Sequence, residues 1–306
     1  MTRIFFIITE FIMSDYEYPA NKAAEAGKTV IGIDVGGSTT KIVGFSPEGR
    51  LFSPMFVKAT DPVTAVYGAF GKFTLENGLY LRDIDRIMMT GVGSAFITEP
   101  IYDLKCCPVS EFSSVGSGGL YLSEMREAIV VSMGTGTALI YAKREDDKVS
   151  TRYLGGTGVG GGTIHGLARK MLGIDSVEHL VQMCEGGDLR NVDLRVGDIS
   201  REDVFSEVKL DLTASNFGKL SDLASRHDIA LGIFNMVAET VAMMSIFAAR
   251  SFNISDIVLT GNLATLEPIS HVFESLASTF DVNFIMPEQR QYATVIGAAL
   301  QPVSVK

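Results

Sequence analysis

Apolar residues run almost unbroken from 29 to 35, give way to Gly36, Gly37, Ser38 and Thr39, and resume from 40 to 46. That pattern predicts a buried strand, a tight turn and a second strand. Residues 51 to 57 predict a third, antiparallel strand, so the chain opens as a β-meander. A helix is expected from 62 to 77, then a buried strand over IDRIMMTGVG (84 to 93) that ends in a glycine-rich turn. PVSEFS (108 to 113) reads as an extended segment that delivers Glu111 toward a helix near 114 to 127.

The opening then recurs. AIVVSMGTGTALIYAKRE (128 to 145) is again an apolar strand, a Gly/Thr turn and a second strand, an internal repeat of one strand-turn-strand unit. LGGTGVGGGT (154 to 163) leads into a helix through Met171, and DLTASNFGKL (211 to 220) reads as a polar, capped loop before more helix. A long helix over 229 to 252 carries Met236, Met243, Met244, Ile246 and Phe247, residues that suit a core or a packed face between subunits. DIVLTGN (256 to 262) is a late strand ending at Gly261 and Asn262, and ATVIGAAL (293 to 300) is a small-residue helix. The whole reads as α/β. A leader occupies 1 to 27, one lobe spans 28 to 122, with the helix of 293 to 306 returning to it, and a second lobe spans 123 to 292.

Composition narrows the chemistry. The chain has 306 residues, 46% of them hydrophobic and 20% charged, which supports two medium-sized cores of an ordinary α/β enzyme. A net charge of −10 without any basic run argues against a nucleic-acid partner, so an anionic ligand must be captured locally. Three cysteines, Cys106 and Cys107 adjacent, build neither a disulfide framework nor a spaced metal site, and point to a reducing, cytoplasmic setting. The apolar stretch from 4 to 13 contains Glu10 and is too short to span a bilayer; no membrane segment is expected, and Met13 offers an alternative start to Met1.

The turns carry the candidate chemistry. Asp34 can hold a hydrated Mg2+ ion, Gly36 and Gly37 let backbone amides approach phosphate oxygens, and Ser38, Thr39 and Lys41 complete an anion cradle. Gly134, Thr135, Gly136 and Thr137 would face it across a cleft. With the turn at Gly261 and Asn262, this is the arrangement needed to grip a nucleotide between two lobes. A dinucleotide fold competes, because Gly156, Gly158 and Gly161 satisfy G-x-G-x-x-G, yet it leaves both clamps unexplained and Glu178 stands too close to serve as the ribose acid. No Walker-type string occurs. The base candidates are Glu111 and the four histidines, of which His165 follows the glycine loop while His179, His227 and His271 show no metal spacing. Glu111, between Ser110 and Ser113, reads equally as a catalytic carboxylate at a strand end or as a helix-start acid favoured by the dipole.

With DVGGSTTK, SEFSS, MGTGT, GGTGVGGGTIHGL, DLTASNFG and VLTGN in that order, the chain resembles the type II pantothenate kinases, from about residue 29 to 302. The resemblance implies a two-lobed actin-like ATPase (ribonuclease H-like) fold with a nucleotide cleft. It also implies a homodimer that uses ATP and Mg2+ to phosphorylate the primary hydroxyl of pantothenate, the first step toward coenzyme A. It makes Glu111 the catalytic base. It gives phosphate contacts to the segment from Gly36 to Lys41 and to Thr135, and places Gly160, Gly161, Gly162, Thr163, Ile164 and Asn262 along the nucleotide. Asp211, Leu212, Thr213 and Ala214 would join the acceptor site from the neighbouring subunit. Two positions depart from the family pattern. Tyr153 stands where an arginine is usual, with Arg152 one residue earlier and so on the opposite strand face, and Ala138 replaces a hydroxyl-bearing residue. These changes leave a related alcohol such as pantetheine, or a sugar, as alternative acceptors. An actin-like activator ATPase and an inactive binding module are the readings outside the kinase class.

Overall fold

The computed structural model describes residues 27–37, 39–58, 61–146, 148–200 and 209–302. Ser38, the leader before Gly27 and the choice between Met1 and Met13 lie outside the described residues. The first half contains β1 (Thr29–Val35), β2 (Thr40–Phe45), β3 (Leu51–Val57), α1 (Pro62–Glu76), β4 (Ile84–Thr90), β5 (Cys106–Pro108) and α2 (Glu111–Ser123). Its strands form a mixed sheet in the order β3-β2-β1-β4-β5, with the meander antiparallel and β1, β4 and β5 parallel. Every residue of β1 and β2 is buried, because α1 covers one face and the returning C-terminal helix the other; an unbroken apolar run, rather than an alternating one, is what a sheet covered on both sides requires.

The second half contains β6 (Glu127–Met133), β7 (Thr137–Glu145), β8 (Lys148–Thr157), α3 (Gly161–Leu172), α4 (Val177–Cys184), β9 (Leu194–Arg195), α5 (Val196–Ile199), β10 (Thr213–Ser215), α6 (Arg226–Ser251), β11 (Asp256–Thr260), α7 (Glu267–Phe280), β12 (Asn283–Ile285) and α8 (Ala293–Ala299). The main sheet runs β12-β11-β6-β7-β8. Ile129, Val131 and Met133 of β6 point to the core under α3, α6 and α7, while Ala128 and Val130 point to α2. This two-residue alternation sorts one strand between two helical layers. The pair β9 and β10 forms a separate two-stranded ribbon, and β10 lies in the segment 211 to 220 that the sequence reads as a polar, capped loop.

Two helices join the halves. Helices α2 and α8 cross so closely that a Cβ on Gly118 would lie 1.8 Å from the Ala293 carbonyl oxygen, and one on Gly297 would lie 1.8 Å from that of Ser114. Only glycine permits this backbone contact, which explains the small-residue composition of 293 to 300. Val295 and Ile296 of α8 pack on Val43 and Phe45 of the first sheet.

One boundary differs from expectation. Helix α2 begins at Glu111, not near 114, because Ser110 acts as its N-cap: its hydroxyl accepts from the Ser113 amide and its carbonyl from the Ser114 hydroxyl. It ends at Ser123, where Glu124 turns left-handed with φ 58°. Ser110 is therefore a helix-capping residue, and Ser113 is the residue whose amide it caps.

Candidate active site

The first clamp is built by register. Asp34 at the end of β1 stands opposite Lys41 on β2 and opposite Thr90 on β4, and the Gly36 amide donates to the Thr39 carbonyl at 3.0 Å to close the turn. Asp34 and Lys41 are both buried. Burial pushes the Asp34 carboxyl up to about 6; Lys41 pulls it down and Glu111 pushes it further up. Burial lowers the Lys41 pKa, against the pull of Asp34, and its ammonium donates to the Gln291 carbonyl at 2.6 Å. Gly91, with φ +87°, lies against the end of β1, and a Cβ there would come within 2.5 Å of Asp34 Oδ1.

Glu111 reaches the same place from β5. The Val109 amide donates to the Met89 carbonyl and the Thr90 hydroxyl to the Val109 carbonyl, which fixes the exit of the chain into α2. Glu111 is the first residue of that helix, and its side chain is solvent-accessible. Desolvation nevertheless raises its pKa, and its charge is felt at Asp34. The two carboxyls therefore share one electrostatic site.

The second clamp is held by backbone. Within the turn the Gly134 amide donates to the Gly136 carbonyl at 2.9 Å; the Gly161 and Gly162 amides donate to the Gly134 and Thr135 carbonyls at 2.9 and 2.8 Å. Thr137 donates its hydroxyl to the Val159 carbonyl, and Thr163 receives the Gly160 amide while donating to the Gly158 carbonyl. The amides that open α3 are thus committed to the clamp, and the glycine loop buttresses Gly134 to Thr137. Ile164 is buried in the core beneath. The third turn sits beside it, because Thr260 pairs with Ser132, and Gly261, at φ +91°, would place a Cβ 2.4 Å from the Met133 carbonyl oxygen.

The segment 290 to 291 links the first clamp to the third turn, which the sequence did not signal. The Gly261 amide donates to the Arg290 carbonyl at 3.0 Å, the next carbonyl, of Gln291, receives Lys41, and Arg290 Nε donates to the Ala264 carbonyl at 2.8 Å. Nothing in the string PEQRQY marks it; the link exists only through partners far away in sequence.

On the acceptor side the structure separates two neighbours. Tyr153 lies on the α2 face of β8, its ring stacked on that of Phe112 with centroids 4.1 Å apart and planes at 12°. Arg152 is directed to the other face, its guanidinium 5.9 Å from the Phe252 ring centroid, and is not brought to Glu111. The loop of Asp211, Leu212, Thr213 and Ala214 is tied to α6: Thr213 and Asn216 donate to the Glu239 carboxylate at 2.7 and 2.8 Å, and the Phe217 amide donates to the buried Asp193. Helix α6 covers the far face of the second sheet from Phe112 and Tyr153, so this loop is not gathered with Glu111 within one chain.

His165 is exposed on α3, and His227 Nδ1 lies 3.0 Å from the Glu185 carbonyl oxygen. Among the described residues no group of three or more His, Cys, Asp or Glu could hold a metal by itself. A single buried carboxylate beside a second one suits a hydrated Mg2+ that takes its remaining ligands from phosphates and water. Helix α6 is long and apolar enough to cross a membrane, yet most of that stretch is buried in the fold.

The profile of the family named Fumble matches residues 120–300, and a type II pantothenate kinase of Staphylococcus aureus (strain USA300) is 31% identical over 76% of this chain and 84% of its own. The chain belongs to the type II pantothenate kinase family. A second type II pantothenate kinase, from Bacillus cereus (strain G9842), is 29% identical over 88% of this chain and 97% of its own. Among solved structures, the activator of 2-hydroxyisocaproyl-CoA dehydratase from Clostridium difficile with bound ADPNP superposes with a TM-score of 0.61 at 19% identity, covering 89% of this chain and 93% of its own. A ROK family glucokinase from Streptomyces griseus, in complex with glucose and AMPPNP, gives 0.55 at 14% identity, covering 89% and 97%. These likenesses give the actin-like, two-lobed fold of ATPases and sugar kinases that the resemblance implied.

Proposed function

We propose that the protein transfers the γ-phosphoryl group of ATP to the primary hydroxyl of pantothenate, as a cytoplasmic homodimer at the entry to coenzyme A synthesis. The observation that carries this reading is the shared site of Asp34, Glu111 and Lys41 in a chain of this family. Glu111 Oε takes the hydroxyl proton as the acceptor oxygen forms its bond to the γ-phosphorus and the bond to the β–γ bridging oxygen breaks. The raised pKa supports that role, since desolvation makes this carboxylate a stronger base than an ordinary glutamate. Asp34 would hold Mg2+, which when bound offsets charge on the β- and γ-phosphates. Lys41, fixed by the Gln291 carbonyl, stays directed at the same charge. The clamp of Gly134 to Thr137, buttressed by the glycine loop, and the turn at Gly261 and Asn262 shape the nucleotide side. Gly36, Gly37, Ser38 and Thr39 shape the phosphate side.

The dimer is supported by α6. Met236, Met243 and the 59% exposed Phe247 follow one another along its outer side, and the Asp211 to Ala214 loop hangs from Glu239 on the same helix. A second copy packed there could present the loop to the acceptor site of its partner. The activator reading is disfavoured, because Cys107 is buried against Val30 and Met88 while Cys106 packs toward the opposite face of β5, so the two thiols do not converge on a cluster. An ADP-release assay with pantothenate, pantetheine and several sugars tests the proposal; turnover confined to sugars would overturn it.

A further inference from the structure

We propose that Tyr153 and Phe112 together form the wall against which the acceptor lies, and that Tyr153 tunes this site toward an uncharged, amide-extended form of the acceptor rather than its free carboxylate. The inference rests on the kinase reading above, with Glu111 as base.

Phe112 directly follows Glu111 on the first turn of α2, so whatever brings a hydroxyl to that carboxylate passes its ring. The stack on Tyr153 is flat and close, yet the pair is not sealed in a core: Phe112 keeps 40% and Tyr153 49% of its surface exposed. Two large rings left open beside a candidate base offer apolar area that a ligand can cover. The strand beside them is cleared of side chains. Ala138, which packs toward α2, pairs with Gly156, so this face carries a methyl group at one position and nothing at the other. A bulge at Leu154 sets that register, since Ile140 pairs with Tyr153 but Leu139 pairs with Gly155.

The chemistry of the acceptor matches the surface. The carbon next to the primary hydroxyl of pantothenate is quaternary and bears two methyl groups, an apolar knob suited to an aromatic face. The far end of pantothenate is a carboxylate, and the wall offers it an aromatic surface rather than a cation, since Arg152, next to Tyr153 in the chain, is turned to Phe252 on the other face. An alkyl amide keeps the knob and removes the charge.

The test compares kcat/KM for pantothenate and for its N-propyl amide in the full-length protein, wild type and variants, with the KM for ATP as the control for an intact fold. The wild type should favour the amide by about ten-fold, the order expected for one unfavourable charge contact removed. Tyr153→Phe, which keeps the stack, should keep that preference. Tyr153→Arg should reverse it by about ten-fold or more, and Tyr153→Ala should raise the KM for both acceptors about ten-fold with little change in kcat, as loss of uniform binding does. Ratios that stay within two-fold across all variants overturn the proposal. If neither acceptor is turned over, the kinase reading fails, and calorimetric titration of the N-propyl amide in the presence of a non-hydrolysable ATP analogue decides the wall separately: a Kd weakened about ten-fold in Tyr153→Ala supports it, and an unmoved Kd or no binding overturns it.

Discussion

Asp34→Asn should make the ligand-free protein more stable while removing its response to MgATP. Burial and the neighbouring Glu111 raise the Asp34 pKa from 3.8 to about 6, despite the opposing pull of Lys41. Because the folded-state value lies above the unfolded one, the native protein holds a proton between about 3.8 and 6 that the unfolded chain has already released. Stability therefore falls as pH rises through that window, and the penalty is complete above about 6. At 1.36 kcal/mol for each pKa unit, the rise corresponds to about 3 kcal/mol. Asparagine resembles the protonated acid, and the loss of the Lys41 attraction is already contained in that figure. Urea unfolding in EDTA, followed by circular dichroism, should thus show the variant about 3 kcal/mol more stable at pH 7.5 and nearly equal to wild type at pH 4. A millimolar addition of MgATP should then raise the midpoint of the wild type and leave the variant unmoved. A variant less stable at pH 7.5, or a difference independent of pH, would show that Asp34 is not a desolvated, cation-seeking carboxylate.

The remaining predictions address other parts of the site. Glu111→Gln should lower kcat by about 10²-fold or more while the dissociation constant for ATP, measured by calorimetry, changes little; turnover at the wild-type rate would remove Glu111 from the mechanism. Gly261→Ala should destabilise the fold by about 1–3 kcal/mol from its left-handed φ alone, more with the approach to the Met133 carbonyl, and should raise the KM for ATP; thermal melting and a nucleotide titration check both. Glu239→Ala frees Thr213 and Asn216 and should raise the KM for the acceptor about ten-fold with the KM for ATP retained, whereas equal KM values in variant and wild type would separate the Asp211 to Ala214 loop from the acceptor site.

Much of this was legible in the chain. The buried runs of β1 and β6 announce strands covered on both faces, and the glycines after each announce turns, because hydrophobic periodicity and backbone conformational freedom are local properties. The repeated strand-turn-strand unit, the late turn at Gly261 and the helix of α6 were recoverable for the same reason. Capping at Ser110 was readable too, yet an extended reading of 108 to 113 displaced the start of α2 by three residues.

What the sequence could not decide concerns groups that meet only through the fold. Asp34 and Glu111 lie 77 residues apart, as their numbers show, and their mutual effect on proton affinity depends on the distance and burial that β4 and β5 impose. The 290 to 291 link between the first clamp and the turn at Gly261 uses main-chain carbonyls, which carry no residue signature at all. Strand alternation alone set Arg152 and Tyr153 on opposite faces, but only the packing of α2 against β8 put Phe112 under Tyr153. The sequence by itself determined which chemical groups are present and which local elements carry them, since these follow from short-range sterics and polarity. Tertiary structure decided which of those groups share a dielectric environment and a ring face, since desolvation and stacking depend on distances between segments far apart in the chain.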